Sequence, residues 1–377
     1  MEVLEGISEL EQRGRHRASE AELLYVNKFT NGLRRRRRGK GFSYYSVHTK
    51  TVVSARTRAR IESLAIPPAW EDVWICANTK GHIQAVGRDE AGRRQYIYHT
   101  RWKAISAATK YDRLQLMAEL LPRIRRRARQ DLNRNELTKE KVLAAVIRVI
   151  DKGKVRVGNQ KYTEEHGSRG ATTLASEHVE VDGFKISLDF PGKSGKQREI
   201  GFSDNKTAEV ISQCEEIKGQ YLFCYHDDEG AERSIESTDV NAYLKDVSGQ
   251  SVSAKDFRTW SGSVIALSAL LDLDDDLTPR QRKRAVNEAV EKASEALGNT
   301  KAVCRDSYIH PGILAAAETG ELAPLLEKAR SVANEKPTPE LVAGERLLAA
   351  LLPLLSGKDR RLRRLELRAS GGAERVG

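Results

Sequence analysis

Apolar and polar positions change their rhythm along the chain. Between Phe42 and Tyr98 short runs alternate apolar and polar residues, the two-residue period of half-buried strands. Phe42–Val47, Val73–Ala77, His82–Gly87 and Gln95–His99 carry aromatic and β-branched residues and are predicted as strands. Asn78–Gly81 and Arg88–Arg94 are turn-forming, Ile66-Pro67-Pro68-Ala69-Trp70 is a rigid connector, and Thr57–Leu64 is predicted helical. From Thr100 onward the period lengthens. Arg101–Asn133 reads as a long Arg-rich helix with Pro122 as a point of kinking. In Thr138–Asp151, Leu143, Val146, Ile147 and Ile150 form one helical stripe that faces a core. Residues 158–167 suit a short helix. His178–Asp182, Lys185–Phe190 and Gln197–Phe202 return to the strand period as a small antiparallel meander, with Pro191–Lys196 as its last turn. Helices are predicted at 204–218, 238–247, 255–272 and 279–297, then at 311–319, 322–333 and 340–355. Thr278, Pro279 and Gln281 supply the N-cap, first-turn proline and capping box of the helix at 279.

Strands followed by helices predict an α+β chain. A small β-rich N-terminal domain precedes a larger, mainly α-helical domain that contains the antiparallel meander. A composition shift near residues 100–135 sets the boundaries. They are a charged lead-in at 1–33, a β-rich domain at 34–99, a mainly helical domain at 100–335, and a C-terminal helix with a basic tail at 336–377. Arg34–Arg38, five consecutive arginines, reads equally as a mobile solvated arm or as an arm that contacts phosphates. The tail after Lys358 is expected to be mobile.

Charge narrows the class of partner. The 377 residues include 64 Lys and Arg against 53 Asp and Glu, a net charge of +11. That excess points to an anionic partner, nucleic acid first and an anionic membrane surface second. No apolar run approaches the roughly 18 residues that span a bilayer, and the charged N-terminus has no apolar signal core. The four cysteines (Cys76, Cys214, Cys224 and Cys304) lack metal spacing, and no two histidines form a ligand pair. Asp272–Asp276 lacks the alternation and glycine of a calcium loop. The chain has no phosphate-binding GxxxxGK[ST] loop and no clear carboxylate cluster for two-metal chemistry. A soluble cytoplasmic protein with reduced thiols, no cofactor and no metal is expected.

The candidate chemistry centres on Tyr308, in Gly298–Pro311. A phenol with a pKa of about 10 is a poor nucleophile at neutral pH unless cations stabilise the developing charge. Four pieces of sequence can supply that setting: Val155-Arg156-Val157-Gly158-Asn159, Pro191-Gly192-Lys193, Lys255-Asp256-Phe257-Arg258-Thr259-Trp260, and Gly298-Asn299-Thr300 with Tyr308 nine residues after Asn299. Two guanidinium forks suit the equatorial oxygens of a phosphodiester under attack, and a lysine can protonate the leaving oxygen. Taken singly, each residue also reads as an ordinary surface arginine, turn lysine or half-buried tyrosine.

In this order and spacing the four pieces resemble the type IB DNA topoisomerases, specifically their short poxvirus-like and bacterial branch. The N-terminal stretches RRRRRGKGFSY, IPPAW and GHIQAVGRDEAGRRQYIYH resemble the same branch, so the likeness runs from about residue 30 to about 320. The resemblance implies a tyrosine-recombinase-like catalytic fold. It implies that Tyr308 forms a 3′-phosphotyrosyl bond, that Arg156 and Arg258 hold the non-bridging oxygens, and that Lys193 is the general acid. Asn299 stands where many members place a histidine, so this position is left with oxyanion stabilisation and no proton transfer near neutral pH. Tyr96, Tyr98, Arg94, Gln95, Tyr162, Thr173 and Lys255 are the implied DNA-binding residues. The implied activity is relaxation of supercoiled duplex DNA without ATP or metal. A nucleoid-associated monomer would clamp the duplex between its two domains. A tyrosine recombinase or integrase is the alternative. Lys255 stands where recombinases usually carry a histidine, and the β-rich N-terminal region departs from their helical one; both points favour the topoisomerase. A DNA-binding protein without activity and a membrane-surface protein are weaker readings.

Overall fold

The computed structural model describes residues 9–355 apart from 40, 91, 274–275 and 336–337. The basic tail, the start of the lead-in, the centre of the acidic 272–276 loop and the start of the 336–339 linker lie outside the described residues. The chain divides into two compact units, one ending at Tyr111 and one beginning at Asp112.

In the first unit helix α1 (Glu9–Glu20) precedes a five-stranded antiparallel sheet. Its strands are β1 (Leu33–Arg38), β2 (Gly41–Ser46), β3 (Glu71–Ile75), β4 (Ile83–Arg88) and β5 (Arg94–Tyr98), in the order β2-β1-β3-β4-β5. Helix α2 (Ala55–Ser63) is capped by Ser54, whose hydroxyl accepts from the Thr57 N–H. One sheet face forms a core of Leu33, Tyr44, Val73, Ile75 and Ala85 with Ile61 of α2. On the other face Trp74, Cys76, Ile83 and Val86 meet Val26 and Phe29.

Two expectations change here. Residues 21–29 are more than a charged lead-in. Leu24 pairs with Gly81, and the Tyr25 ring stacks on His82 at 4.7 Å, because the apolar residues of this stretch cover a sheet face that would otherwise be open. The five arginines are not an arm but part of strand β1, paired with β2 along its whole length and with β3 at Leu33 and Arg34. Alternation sends them to opposite faces. Arg35 donates to the carbonyls of Pro67 (3.1 Å) and Trp70 and lies 4.1 Å over the Phe42 ring, so its stem is packed while its charge is satisfied.

Helix α3 (Thr100–Leu132) crosses the division between the units and stays one helix through Pro122. In the second unit α4 (Lys139–Gly153), capped by Thr138, is buried along nearly its whole length. Around it stand α5 (Gln160–His166) and a three-stranded sheet of β6 (Val179–Asp182), β7 (Lys185–Pro191) and β8 (Gln197–Ser203). Next come α6 (Asn205–Ile217), the hairpin β9 (Cys224–His226) and β10 (Glu232–Ser234), α7 (Ser237–Ser248), α8 (Ala254–Ser268) and α9 (Pro279–Leu297). The chain continues through α10 (Lys301–Ser307), α11 (Pro311–Thr319), α12 (Leu322–Glu335) and a helix α13 over 343–355. The sequence reading misses the β9–β10 hairpin because three residues are too few to show a period.

An ion network locks α13 to this core. Arg125 of α3 donates to Asp151 of α4 (2.8 and 2.9 Å) and to Glu345 of α13 (2.7 and 2.8 Å), and Glu345 also accepts from Trp260 Nε1 at 3.1 Å. Burial alone would lower the Arg125 pKa, but its bonds to Asp151 and Glu345 outweigh that and raise it. Removing one member of a buried network strands the others. Glu345→Ala should therefore lower unfolding free energy by about 3 kcal/mol in urea denaturation. A negligible change would mean that the network does not hold α13 in place.

Candidate active site

Four helix ends and one guanidinium build the site. Arg258, in the second turn of α8, is only 3% exposed. It donates to the Lys154 carbonyl, just past α4, and at 2.7 Å to the Leu297 carbonyl that ends α9. Helix C-termini carry partial negative charge, so a buried cation is favoured at both. Each acceptor lies two residues before a candidate residue, Arg156 in one case and Asn299 in the other.

Arg156 donates to the Asn299 side-chain oxygen and, at 3.4 Å, to the Gly298 carbonyl. The chain reverses at Gly298, which has φ +59°, a left-handed conformation that strains other residues. Thr300 then caps α10, and Tyr308 follows as its C-terminal residue. Arg258 Cζ lies 5.2 Å from the centroid of the Tyr308 ring. The same helix that carries Arg258 sets the tyrosine's position. Gly262, one turn on, presses against the Tyr308 carbonyl so closely that a methyl group there would collide with it. Its neighbour Ser263 donates to that carbonyl at 3.5 Å and accepts from the His310 N–H at 3.0 Å.

The electrostatics are one-sided. Arg198 of β8 is a third guanidinium in the group, and it bonds the carbonyls of Glu295 (3.1 Å) and Ala296 (2.9 Å). Among the described residues none of Arg156, Arg198 and Arg258 has a carboxylate partner. Burial, reinforced by the Arg156 charge, lowers the Arg258 pKa to about 10, against the opposing pull of Tyr308. Burial also lowers the Arg156 pKa, with Tyr308 and Tyr162 acting the other way. Arg258 Nε and Asn299 Nδ2 are buried donors without acceptors. Three unneutralised cations and two unused N–H donors beside a phenol make a binding site for an anion with several oxygens.

The remaining predicted residues are placed as follows. Lys193 is exposed on the turn between β7 and β8, and its ammonium has no hydrogen-bond or ion-pair partner among the described residues. Tyr162, half-buried in α5, stands edge-on to His166 at 4.4 Å. Lys255 is exposed in the first turn of α8. Thr173 is 0% exposed, and its hydroxyl accepts from the Gly170 N–H at 2.9 Å, which holds a turn. In the first unit the rings of Tyr96 and Tyr98 stack at 5.9 Å on one face of β5, the face that also takes Arg94. Register across the sheet adds Tyr45 and Arg34, and alternation then adds Arg36 and Arg38. Alternation turns Gln95 to the opposite face, where its amide donates to Asp89 at 2.8 Å. Among the described residues no group of three or more His, Cys, Asp or Glu is arranged to hold a metal ion.

Sequence reasoning missed Arg198, Gly262 and Ser263. For Arg198 a signal existed: the alternation of Gln197–Ser203 puts position 198 on the inward face with Ile200 and Phe202. For Gly262 and Ser263 none did, since only the folded backbone brings them against Tyr308.

A family model described as the eukaryotic DNA topoisomerase I catalytic core matches residues 99–321. Another, described as the bacterial DNA topoisomerase IB N-terminal domain, matches residues 41–89. Over 285 residues the chain is 29% identical to a DNA topoisomerase 1B of Acanthamoeba polyphaga mimivirus, covering 74% of this chain and 85% of that protein. Over 247 residues it is 21% identical to the DNA topoisomerase 1B of vaccinia virus strain Copenhagen, covering 65% and 75%. A DNA topoisomerase 1 beta of Arabidopsis thaliana is 27% identical over 163 residues, covering 43% of this chain and 17% of that protein.

The notch at Gly262 yields a direct test. Gly262→Ala should destabilise the protein by about 1–3 kcal/mol in chemical denaturation, because a methyl group must displace the Tyr308 backbone. Unchanged stability would show that α8 and Tyr308 are not in such close contact.

Proposed function

The chain belongs to the type IB DNA topoisomerase family, and on that premise we propose that Tyr308 is the nucleophile of a swivelling strand-cleavage reaction on duplex DNA. The phenol oxygen attacks a phosphodiester as its proton passes to solvent water, a 3′-phosphotyrosyl bond forms, and the 5′ oxygen leaves. Charge that builds on the non-bridging oxygens is met by Arg156, Arg258 and the free Asn299 amide N–H. Lys193 delivers a proton to the leaving oxygen. The phosphotyrosyl bond keeps the energy of the broken linkage, so reversal reseals the strand without ATP. While the strand is open, the duplex beyond the nick rotates and supercoils of either sign relax. Metal plays no part in this scheme.

The observation that carries this reading is the pair of orphan donors, Arg258 Nε and Asn299 Nδ2, within a cluster of guanidiniums that has no counter-charge. A tetrahedral oxyanion is what that cluster lacks. The residue order also suits a tyrosine-recombinase-like catalytic fold for the second unit. In the first unit, the face with Arg34, Arg36, Arg38, Arg94, Tyr96 and Tyr98 offers phosphate contacts and aromatic surface to the same duplex. We take the working unit to be a monomer whose two units both engage DNA, in keeping with the net charge of +11.

Supercoiled plasmid incubated with excess chelator and no ATP should relax whether its supercoils are positive or negative, and detergent should trap protein on the 3′ end. No relaxation, or a need for ATP, would overturn the assignment. Tyr308→Phe should bind DNA and form no adduct; an adduct in that variant would identify a different nucleophile.

Asn299→Asp separates binding charge from donor geometry. A carboxylate at 299 would neutralise Arg156, so stability should rise, by about 1 kcal/mol. It could not donate to an oxyanion, so single-turnover cleavage should fall by at least about 10²-fold. The bonded arginine would keep the new carboxyl ionised well below its ordinary pKa, so the loss should persist at pH 5. Full cleavage in this variant would remove Asn299 from the mechanism.

A further inference from the structure

The turn that carries Lys193 is exposed, yet one side chain fastens it. Arg198 faces inward from β8, and its stem runs across Gly192, the residue before Lys193. A methyl group on Gly192 would meet Arg198 Cγ at 2.7 Å. Its guanidinium reaches the C-terminal end of α9, where Nη1 donates to Glu295 O at 3.1 Å and Nη2 to Ala296 O at 2.9 Å. There it lies on Gly298, the residue before Asn299; a methyl group on that glycine would meet Arg198 Cζ at 2.7 Å. Helix α9 buries Val286, Ala289, Val290, Ala293 and Leu297, so it is a fixed post. Main-chain bonds close the turn on itself, from Gly192 N–H to Lys196 O at 2.8 Å and from Gly195 N–H to Gly192 O at 3.1 Å, while Lys193, Gly195 and Lys196 are exposed, so the Arg198 side chain is what ties it to α9.

The chemistry of the contact is specific. Two carbonyls on successive residues of a helix end call for two N–H donors in one plane, which a guanidinium has and an ammonium lacks. Burial and the like charge of Arg156 both act against the Arg198 cation, whose pKa is lowered. A solvated surface arginine would bear neither cost.

We propose that Arg198 is a positioning residue for strand cleavage, holding the Lys193 turn against α9 so that the ammonium meets the leaving 5′ oxygen while Asn299 meets the phosphate. This rests on the function proposed above. In that step the Tyr308 hydroxyl gives its proton to solvent water as the bond from its oxygen to phosphorus forms, the bond from phosphorus to the 5′ oxygen breaks, and the Lys193 proton passes to that oxygen. Arg198 acts through Lys193 and not on the DNA.

The test compares single-turnover adduct formation on two duplexes. One is ordinary, and the other carries sulfur in place of the bridging 5′ oxygen at the cleaved linkage. Sulfur leaves as a thiolate and needs no proton. Arg198→Ala should cleave the oxygen duplex about 10²-fold more slowly and the sulfur duplex at close to the wild-type rate. Equal losses on both, or no loss on the oxygen duplex, would overturn the proposal. Thermal melting checks the fold. Should Arg198→Ala not fold, Arg198→Lys retains the stem over Gly192 and a charge but not the planar pair of donors. It should show the same selective loss on oxygen, and equal rates on oxygen would refute the proposal. A wild-type protein that forms no adduct on either duplex would refute the parent reading instead.

Discussion

The site depends on one buried cation, Arg258, which bonds the Lys154 and Leu297 carbonyls and lies beside the Tyr308 ring. Its bonds to Lys154 and Leu297 draw together the ends of α4 and α9, and the two residues that follow each end are the ones that bring Arg156 and Asn299 into place. The same helix then carries Gly262 and Ser263 to the backbone of Tyr308. One helix thus supplies the central charge and fixes the distance of Tyr308 from it. The bonds of Arg258 and the contacts of Gly262 and Ser263 with Tyr308 are to main chain, which cannot rotate away as a side chain can.

Two kinds of arginine in this protein make the logic plain. Arg125 is buried with Asp151 and Glu345, and its charge is raised in stability by them. Arg258 is buried without a carboxylate, and its pKa falls to about 10. Both remain charged at neutral pH, but only the second is left short of an anion. Folding tolerates that deficit because interactions remote from the site, such as the Arg125 network and the apolar length of α4, stabilise the second unit.

Much of this was legible in the chain. The period change near residue 100, the stripe in α4, the meander and the capping box before α9 all appear where residue pattern alone puts them. Local chemistry decides those features. Arg34–Arg38 misled because a charge run predicts an arm, whereas its main-chain pairing with β2 makes the segment a strand, with Arg36–Arg38 still exposed. Arg198 and Gly262 matter through contacts over 97 and 46 residues of sequence, and no local pattern encodes such a distance.

The central claim is that Arg258 acts on phosphate charge. It is tested most directly by single-turnover adduct formation at one mapped site, on DNA in which a methyl group replaces one non-bridging oxygen of the cleaved phosphate. That substitution removes the charge and keeps the bond to be broken. Arg258→Ala should lose about 10²–10³-fold on the ordinary phosphate and far less on the neutral linkage. Equal losses on the two linkages would contradict the assignment of Arg258 to the phosphate and leave it as a purely structural residue.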